Sequence, residues 1–424
     1  MWKWGKLALL LTVLQAFACA SNPAGLDAGP DATSQTDARA DGLAPADGGA
    51  DASPTDAPPG WSVAVVDDQP KFKSRAALAV GPDGTLHLAY NVATSVDGWT
   101  IPSVWYARRQ GAIWERTEVA PAGGTSNEFP VLVVDSQNRP HVFYNRAVGG
   151  VVDLFMLAGT GSGFAAAVNL TNTTGKDEFA PSVAIDGSNA IHVLFQERTG
   201  PSGSYVYSIG YLRVSAGSPG SPEPVASGTA MFSLSPDYDI VADGGGVHVV
   251  YCKPGDSAFN NVLYYRHRAS SAWEPESRVT ATDQDVWSPA IGVDGAGTVH
   301  AAYTKGPSWS EKTLTYNRRT SGAWLGEQPL SGSTEDRSYY LGLQVESDGL
   351  VHLAFHRFYD SNGDILYLTG RNGSLGPEER VTQTVAGDES SASVARVPGG
   401  PVVVSFLENL AAAPDGKVYL ATRN

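Results

Sequence analysis

Short, mainly apolar runs separated by turn-forming residues recur along the chain from residue 61 to the C-terminus. The clearest copy has such runs at 290–293 and 299–303, with an aspartate and two glycines between them, and a third run at 314–316 followed by Trp324. Runs this short, without the i, i+3, i+4 spacing of an amphipathic helix, predict β-strands. The tight turn between the first two runs predicts that consecutive strands are antiparallel neighbours.

A histidine followed three residues later by an aromatic residue marks the second strand of each copy. Six copies have this pair, and a seventh has Val403 and Phe406 in the same places. The anchor histidines are His87, His141, His192, His248, His300 and His352. A period of about 50 residues with four short strands per copy is typical of propeller blades. The sequence therefore predicts an all-β fold, a seven-bladed β-propeller of four-stranded antiparallel blades over residues 61–424.

The two ends of this region complement each other. The last copy stops after its third strand, at residues 417–421, whereas residues 61–66 form an extra apolar run before the first copy. An N-terminal strand paired with the last blade would cover an exposed sheet edge. We therefore predict that the N-terminal strand closes the propeller.

The N-terminus predicts export. Lys3 and Lys6 precede an apolar run at 7–14, which is the layout of a secretory signal peptide. The segment ending Ala-Phe-Ala-Cys resembles a bacterial lipobox and predicts a signal peptide over 1–19 with lipidation at Cys19. The expected location is the outer membrane, by a lipid anchor, or the cell surface. Ordinary cleavage near Cys19 would instead give a secreted protein.

Residues 20–60 are rich in Ala, Asp, Pro and Gly and contain one basic residue, Arg39. With little apolar surface and repelling carboxylates, this segment predicts a disordered tether. The formal net charge of −15 argues against nucleic acid as a partner. Cys252 is the only cysteine besides Cys19, so an intrachain disulfide within the folded region is excluded. We expect a monomer that contacts the membrane only through its anchor.

Short turns followed by tryptophan stand between the third and fourth predicted strands, at 110–114, 270–273 and 321–324. They resemble shortened forms of the Asp-box, S-x-D-x-G-x-T-W, of the sialidase-like (BNR-type) seven-bladed propellers, although they lack its aspartate. The resemblance covers residues 61–424 and is architectural. It implies a relative of glycan-active enzymes and lectin-like binders. The arginine triad, acid and tyrosine nucleophile of a sialidase have no identifiable counterpart.

The repeated histidines suggest a metal centre, but equivalent positions on different blades lie far apart, whereas ligands of one zinc ion all lie about 2 Å from it. We therefore interpret them as structural, each hydrogen-bonded to a backbone group or a carboxylate, and we identify no cofactor. Calcium is a weaker alternative, because Asp360 to Asp364 resembles the start of a calcium loop whose glycine is replaced by Ile365.

Charged and aromatic residues are predicted at one mouth of the propeller, where innermost strands begin and second strands end. Acids precede the innermost strands, basic residues follow the second strands, and loops there also carry Trp99, Phe232, Phe259 and Phe358. Such mixtures suit carbohydrate binding, although a belt of ion pairs and loop packing explains them equally. The predicted ligand-binding residues are Glu128, Arg146, Glu178, Arg198, Asp285, Trp287, Lys305, Trp309, Asp336, Arg357 and Glu389, with Asp237 and Lys253 in equivalent places.

His356, Arg357 and Tyr359 form the best local cluster for catalysis, because His356 lies outside the repeated position. In a polysaccharide lyase, His or Tyr would remove the proton α to a uronate carboxylate that Arg neutralises. Two rim acids could instead support glycoside hydrolysis. We expect a surface lipoprotein that binds a glycan or another extracellular polymer, with a lyase or hydrolase and a protein-interaction scaffold as alternatives.

Overall fold

A computed structural model describes residues 57–96, 99–123, 125–202, 204–228, 237–255, 260–269, 271–308, 311–330, 339–359, 362–383, 388–409 and 416–424. Residues Pro54–Asn424 form one compact unit. The described residues contain β-strands and no helix, so no helix in this part of the chain could cross a membrane.

The strands form seven successive antiparallel sets, which we number in chain order. Set 1 contains the C-terminal half of β1 (Trp61–Val80), β2 (Leu86–Val96), β3 (Trp99–Gln110) and β4 (Ile113–Ala120). Set 2 contains β5 (Asn127–Val134), β6 (Pro140–Val148), β7 (Val151–Thr160), β8 (Gly163–Phe164) and β9 (Val168–Asn169). Set 3 contains β10 (Asp177–Ile185), β11 (Ile191–Thr199), β12 (Val206–Ser215), β13 (Ser218–Pro219) and β14 (Glu223–Ser227).

The remaining sets repeat this plan. Set 4 contains β15 (Tyr238–Asp243), β16 (Gly246–Pro254), β17 (Asn261–Arg268) and β18 (Ser277–Arg278). Set 5 contains β19 (Asp285–Val293), β20 (Val299–Ser308), β21 (Glu311–Thr320), β22 (Ala323–Trp324) and β23 (Gln328–Pro329). Set 6 contains β24 (Tyr339–Val345), β25 (Val351–Tyr359), β26 (Asn362–Arg371), β27 (Ser374–Leu375) and β28 (Glu379–Arg380). Set 7 contains β29 (Asp388–Arg396), β30 (Val402–Asn409) and β31 (Gly416–Arg423).

Strand β1 belongs to two sets. Its N-terminal half pairs with β31, where Trp61 lies opposite Arg423, and its C-terminal half pairs with β2. The sheet that contains it therefore has the order β29-β30-β31-β1-β2-β3-β4. The N-terminal strand therefore covers the edge of set 7.

Hydrophobic clusters lie between successive sets, because the central strands are apolar on both faces. One cluster joins Leu132 and Val142 of set 2 to Val104 of set 1, and another joins Leu88 and Tyr90 of set 1 to residues of set 7. The first strands of successive sets, which we call the innermost strands, also contact each other, and β1 contacts both β5 and β29. The all-β class and the antiparallel sheets are thus confirmed, and the arrangement is propeller-like.

Innermost strands carry a β-bulge near their first residues. The register shifts by one residue in six of these strands among the described residues, for instance between Glu128 and Val131 and between Trp287 and Ala290. Non-glycine residues with left-handed backbone occupy five of these bulges, namely Arg75 (φ 52°), Phe129 (φ 56°), Ala180 (φ 53°), Ser288 (φ 49°) and Ser391 (φ 57°). A β-bulge changes the direction in which nearby side chains point. These bulges lie beside the predicted ligand-binding residues and therefore affect their orientation.

Candidate functional site

The predicted ligand-binding residues that the structure describes lie at the end of their sets where the first strand begins and the second strand ends, which we call the crossover end. Hydrogen bonds join neighbouring sets there. Asn91 Nδ2 donates to Asn127 O at 2.8 Å between sets 1 and 2, and Ala180 N donates to Asn145 Oδ1 at 3.2 Å between sets 2 and 3. Tyr238 Oη donates to Ala180 O at 2.5 Å, which links set 4 to set 3. The crossover ends of sets 1 to 4 are therefore held together by buried polar contacts.

Four of the basic residues predicted at the mouth form ion pairs within their own sets, and Arg146 forms a hydrogen bond. Arg198 donates from Nε and Nη2 to Asp177 Oδ2 at 3.0 and 2.7 Å, and Lys305 Nζ lies 2.8 Å from Glu327 Oε1. Arg357 donates from both terminal nitrogens to Glu378, and Lys253 pairs with Glu276. Arg146 Nε donates to Thr125 Oγ1 at 3.3 Å. Each such cation fixes a loop of its set, and its role toward a ligand remains a prediction.

Three of the acids predicted at the mouth, Glu178, Asp237 and Glu389, are buried, and two of them accept from a threonine. Thr173 Oγ1 donates to both carboxylate oxygens of Glu178, at 2.6 and 2.9 Å, and Thr382 Oγ1 donates to Glu389 Oε2 at 2.6 Å. Both glutamates are 1% exposed. Burial raises the pKa of Glu178 to about 7, because the charged form loses its hydration. The repeated Thr–Glu contact secures the connection into the innermost strand in sets 3 and 7.

A buried charged group lies between sets 4 and 5. Asp237 Oδ1 accepts the Ser288 N–H at 2.8 Å, and Asp285 Oδ1 accepts the Asn261 N–H at 2.7 Å. Lys312 is fully buried, and its Nζ lies 4.0 Å from the ring centroid of Trp287. Burial lowers the pKa of Lys312 to about 7, although the charges of Asp237 and Asp285 oppose this shift. Burial likewise raises the pKa of Asp237 to about 7.

Arg75 lies at the crossover end of set 1 and interacts with side chains from two other sets. Its guanidinium is centred 4.0 Å from the ring centroid of Phe129 in set 2. Burial raises the pKa of Glu128, and the Arg75 charge acts against that shift. Burial raises the pKa of Tyr238 of set 4, and the Arg75 charge acts against that shift as well. Arg75 thus packs on an aromatic ring of set 2 and acts electrostatically on groups of sets 2 and 4.

Three innermost strands share one motif at the crossover end, an aromatic ring with a cation over it. Besides Arg75 on Phe129 and Lys312 on Trp287, the Arg198 guanidinium lies 5.7 Å from the Phe179 centroid. The three rings are partly exposed. We call these six residues, with the neighbouring acids Glu128, Glu178 and Asp237, the crossover cluster. It combines aromatic faces, fixed cations and carboxyl groups whose ionisation is shifted toward neutral pH, a pattern common at functional sites.

The structure does not bring His356 and Arg357 of the predicted catalytic cluster together. His356 and Arg357 are consecutive residues of β25, so their side chains point to opposite faces of the sheet. His356 is 2% exposed and packs edge-on against Phe358, with ring centroids 4.5 Å apart, whereas Arg357 pairs with Glu378. The side chain of Tyr359 lies outside the described residues.

Some other predictions also fall on residues that the structure does not describe. They are the signal peptide over 1–19 with Cys19, residues 20–56 of the tether, Phe232, Phe259, Trp309, Asp336, Asp360 at the start of the calcium-like loop, and the side chain of Trp99. Among the described residues, no group of three or more His, Cys, Asp or Glu side chains could hold a metal ion.

The anchor histidines hydrogen-bond within their own sets. In five sets the His Nδ1 faces a tyrosine hydroxyl of the third strand at 2.5–2.7 Å, as in His192 with Tyr211. In five sets the His Nε2 faces a carboxylate of the first turn at 2.8–3.5 Å, as in His192 with Asp186. Burial lowers the pKa of all six histidines, so the neutral ring accepts from the tyrosine and donates to the acid.

This burial predicts a pH-dependent contribution of His87 to stability. Its pKa is lowered from 6.5 to about 4, chiefly by burial, while Asp83 opposes the shift and Arg108 reinforces it. Between these pH values the unfolded chain binds more protons, so the contribution is complete above pH 6.5 and is lost as the pH falls toward 4. In urea unfolding, the stability difference between wild type and H87Q should shrink by about 2 kcal/mol between pH 7 and pH 4.5. An equal difference at both pH values would contradict this account.

Sequence reasoning missed several members of the crossover cluster. Arg75, Phe129 and Phe179 lie inside strands, where the alternating pattern gives them no distinguishing feature, and Lys312 is the second residue of β21. The sequence did contain a sign of the bulges at these positions, because Phe129 and Ser288 each precede a proline at the same place in the repeat.

Comparison with known proteins identifies the fold. No family profile and no curated protein matches the sequence. An ulvan lyase of polysaccharide lyase family PL25, solved with the oligosaccharide -[GlcA(1-4)Rha3S]-, is similar over 85% of this chain and 96% of its own, with 12% identity and a TM-score of 0.59. A protein of unknown function from Dyadobacter fermentans is similar over 86% and 100%, with 12% identity and a TM-score of 0.54.

The polysaccharide lyase Uly1 is similar over 82% of this chain and 89% of its own, with 10% identity and a TM-score of 0.52. Solved sialidases match at lower TM-scores, such as 0.47 for the microbial sialidase Hz136, with 11% identity over 71% of this chain and 66% of that one. At these identities, the likeness to the lyases shows that the chain shares their all-β, propeller-like fold.

Proposed function

We propose that the seven strand sets close into one seven-bladed propeller. We further propose that the face formed by the crossover ends of the sets, the crossover face, binds a carbohydrate polymer. Closure is supported by the double pairing of β1 and by its contacts with the innermost strands of both sets 2 and 7. In a closed ring the crossover ends surround one channel mouth. The crossover cluster would then line part of that mouth.

The crossover cluster is the observation that carries the carbohydrate proposal. A sugar ring has an apolar face that packs on aromatic side chains and hydroxyl groups that hydrogen-bond to carboxylates. Phe129, Phe179 and Trp287 supply rings on separate strands, and Glu128 supplies a carboxyl beside the first of them. Their spread over several sets fits a polymer of several sugar units better than a small compact ligand.

The cations of the cluster favour an acidic polymer. Arg75 lies over the ring of Phe129, next to Glu128. Burial raises the pKa of Glu128, so this acid neutralises the Arg75 charge less completely. Uronate or sulfate groups would complement the remaining positive charge. The PL25 ulvan lyase of similar fold was solved with a sulfated, uronate-containing oligosaccharide, which supports the same class of ligand.

Catalysis on such a polymer is the second candidate. The similar fold of two polysaccharide lyases favours it, whereas the separation of His356 from Arg357 on opposite faces of β25 leaves the predicted lyase set incomplete. Binding is therefore the function that the described site supports best. We further propose that the N-terminal signal and lipobox place this face at the cell surface.

The test is binding and activity of the full chain on polygalacturonate, alginate, hyaluronan and neutral dextran. We expect binding of at least one acidic polymer, weaker binding of dextran, and a decrease in affinity as salt is raised. Absorbance of unsaturated uronates and release of reducing ends report lyase and hydrolase activity. A chain that binds and cleaves none of the four would overturn the proposal, and cleavage would establish the second candidate.

A further inference from the structure

We propose that Asp237, on the innermost strand side of set 4, is a positioning residue that fixes Trp287 of set 5 for the ligand. The inference rests on the proposed carbohydrate function, in which Trp287 supplies one of the aromatic faces. It goes further because Asp237 itself is 4% exposed and would act through its neighbour rather than by touching the sugar.

The first link is a backbone hydrogen bond at a strained residue. Asp237 Oδ1 accepts the N–H of Ser288, the residue that follows Trp287, at 2.8 Å. Ser288 has φ 49° and precedes Pro289, a left-handed conformation that a non-glycine residue adopts only when its surroundings enforce it. The bulge that begins at Trp287 thus depends on an acceptor from the neighbouring set.

The second link acts on the indole itself. Lys312 Nζ lies 4.0 Å from the Trp287 ring centroid, and the charges of Asp237 and Asp285 both favour the protonated form of this buried lysine. An ammonium group is attracted to the face of an indole, more so when it is removed from water. Asp237 therefore stabilises the cation that packs against Trp287, while its hydrogen bond holds the backbone of the next residue.

The two links predict a specific coupling. Without the Asp237 carboxyl, the Ser288 N–H loses its acceptor and Lys312 loses one of its two acidic neighbours. The bulge would relax and the indole would sample other orientations. Affinity for the polymer would fall although no group that touches the sugar has been removed, and the fall would require the presence of the indole.

A double-mutant cycle on the full chain tests this coupling, with D237A, W287A and their combination. The probe is whichever of polygalacturonate, alginate and hyaluronan binds the wild type most tightly. We expect D237A to weaken binding about 5- to 10-fold in the wild-type background and less than 2-fold in the W287A background. D237N, which keeps an oxygen for the Ser288 N–H, should recover at least half of the loss on a logarithmic scale.

Far-UV and near-UV circular dichroism and the midpoint of thermal unfolding establish that each variant is folded. Should D237A fail to fold, K312M tests the second link alone, with an expected 3- to 5-fold loss that also disappears with W287A. Equal losses in both backgrounds, or an unchanged affinity of the folded single variants, would overturn the positioning role. If W287A binds as tightly as the wild type, the proposed ligand site is itself wrong, and the positioning role is rejected with it.

Discussion

Replacing Asp67 by alanine is expected to lower the free energy of unfolding by about 3–5 kcal/mol, because it leaves a buried lysine without its carboxylate. Asp67 lies where β1 passes from β31 to β2 and is 2% exposed. It accepts hydrogen bonds from Tyr90 Oη at 2.9 Å and Arg116 Nη1 at 2.8 Å. Lys73 Nζ lies 3.9 Å from its Oδ1 and is fully buried.

The measurement is equilibrium unfolding in guanidinium chloride, followed by tryptophan fluorescence and circular dichroism. D68A is the matched control, because Asp68 is 63% exposed and lies 3.8 Å from the same arginine. We expect D68A to change stability by less than about 0.5 kcal/mol. A D67A variant as stable as D68A would show that the junction in β1 does not hold the N-terminal strand in place.

Replacing Arg75 by methionine is expected to weaken binding of an acidic polymer about 10- to 100-fold, the equivalent of one charge-assisted hydrogen bond. Methionine keeps apolar contact with Phe129 while removing the charge. The dependence of affinity on salt should also become shallower. Titration calorimetry at two salt concentrations measures both effects.

Two further variants make the Arg75 result specific. R75K keeps the charge but loses the planar stack, so we expect an intermediate loss of affinity. R108M removes a cation that pairs with the exposed Glu115 on β4, away from the crossover end, and should bind like the wild type. If R75M and R108M bind equally well, Arg75 does not contact the ligand.

Much of the fold could be predicted because the sequence repeats most regularly at the positions that are buried between strands. Each central strand is buried between two neighbours, so its apolar run recurs in every set and its anchor histidine in six of the seven. The fourth strand was harder. In sets 2, 3, 5 and 6 it is divided into short pieces. In sets 3 and 5 these pieces contain Pro219 and Pro329, which have no N–H to donate to a neighbouring strand.

The closing strand was predicted over 61–66, but β1 continues to Val80 and serves two sets. The sequence hides this continuity because Asp67, Asp68 and Lys73 look like a solvated turn. Asp67 and Lys73 are in fact buried, and Asp67 pairs with Arg116 at 2.8 Å and with Lys73 at 3.9 Å. Charge pairing between residues six apart in an irregular strand depends on the neighbouring β31 and is invisible to periodicity.

The candidate site could be predicted only in outline. The end of the sets at which charged and aromatic residues gather follows from strand order. The partner of each cation cannot be predicted from strand order. Arg357, for example, turns away from the neighbouring His356 and pairs with Glu378 in a loop of set 6. The pairing of Arg75 with Phe129 likewise joins residues of different sets.

The central claim is that the crossover face, and not the opposite face, binds the polymer. The most direct measurement compares three full-length proteins in titration with the most tightly bound acidic polysaccharide, namely wild type, F129A/W287A and I113A/L325A. Ile113 and Leu325 are 70% and 55% exposed apolar residues beside the turns between third and fourth strands, at the opposite end of their sets. We predict a loss of at least 30-fold for F129A/W287A and wild-type affinity for I113A/L325A. Equal affinities, or a loss confined to I113A/L325A, would contradict the account.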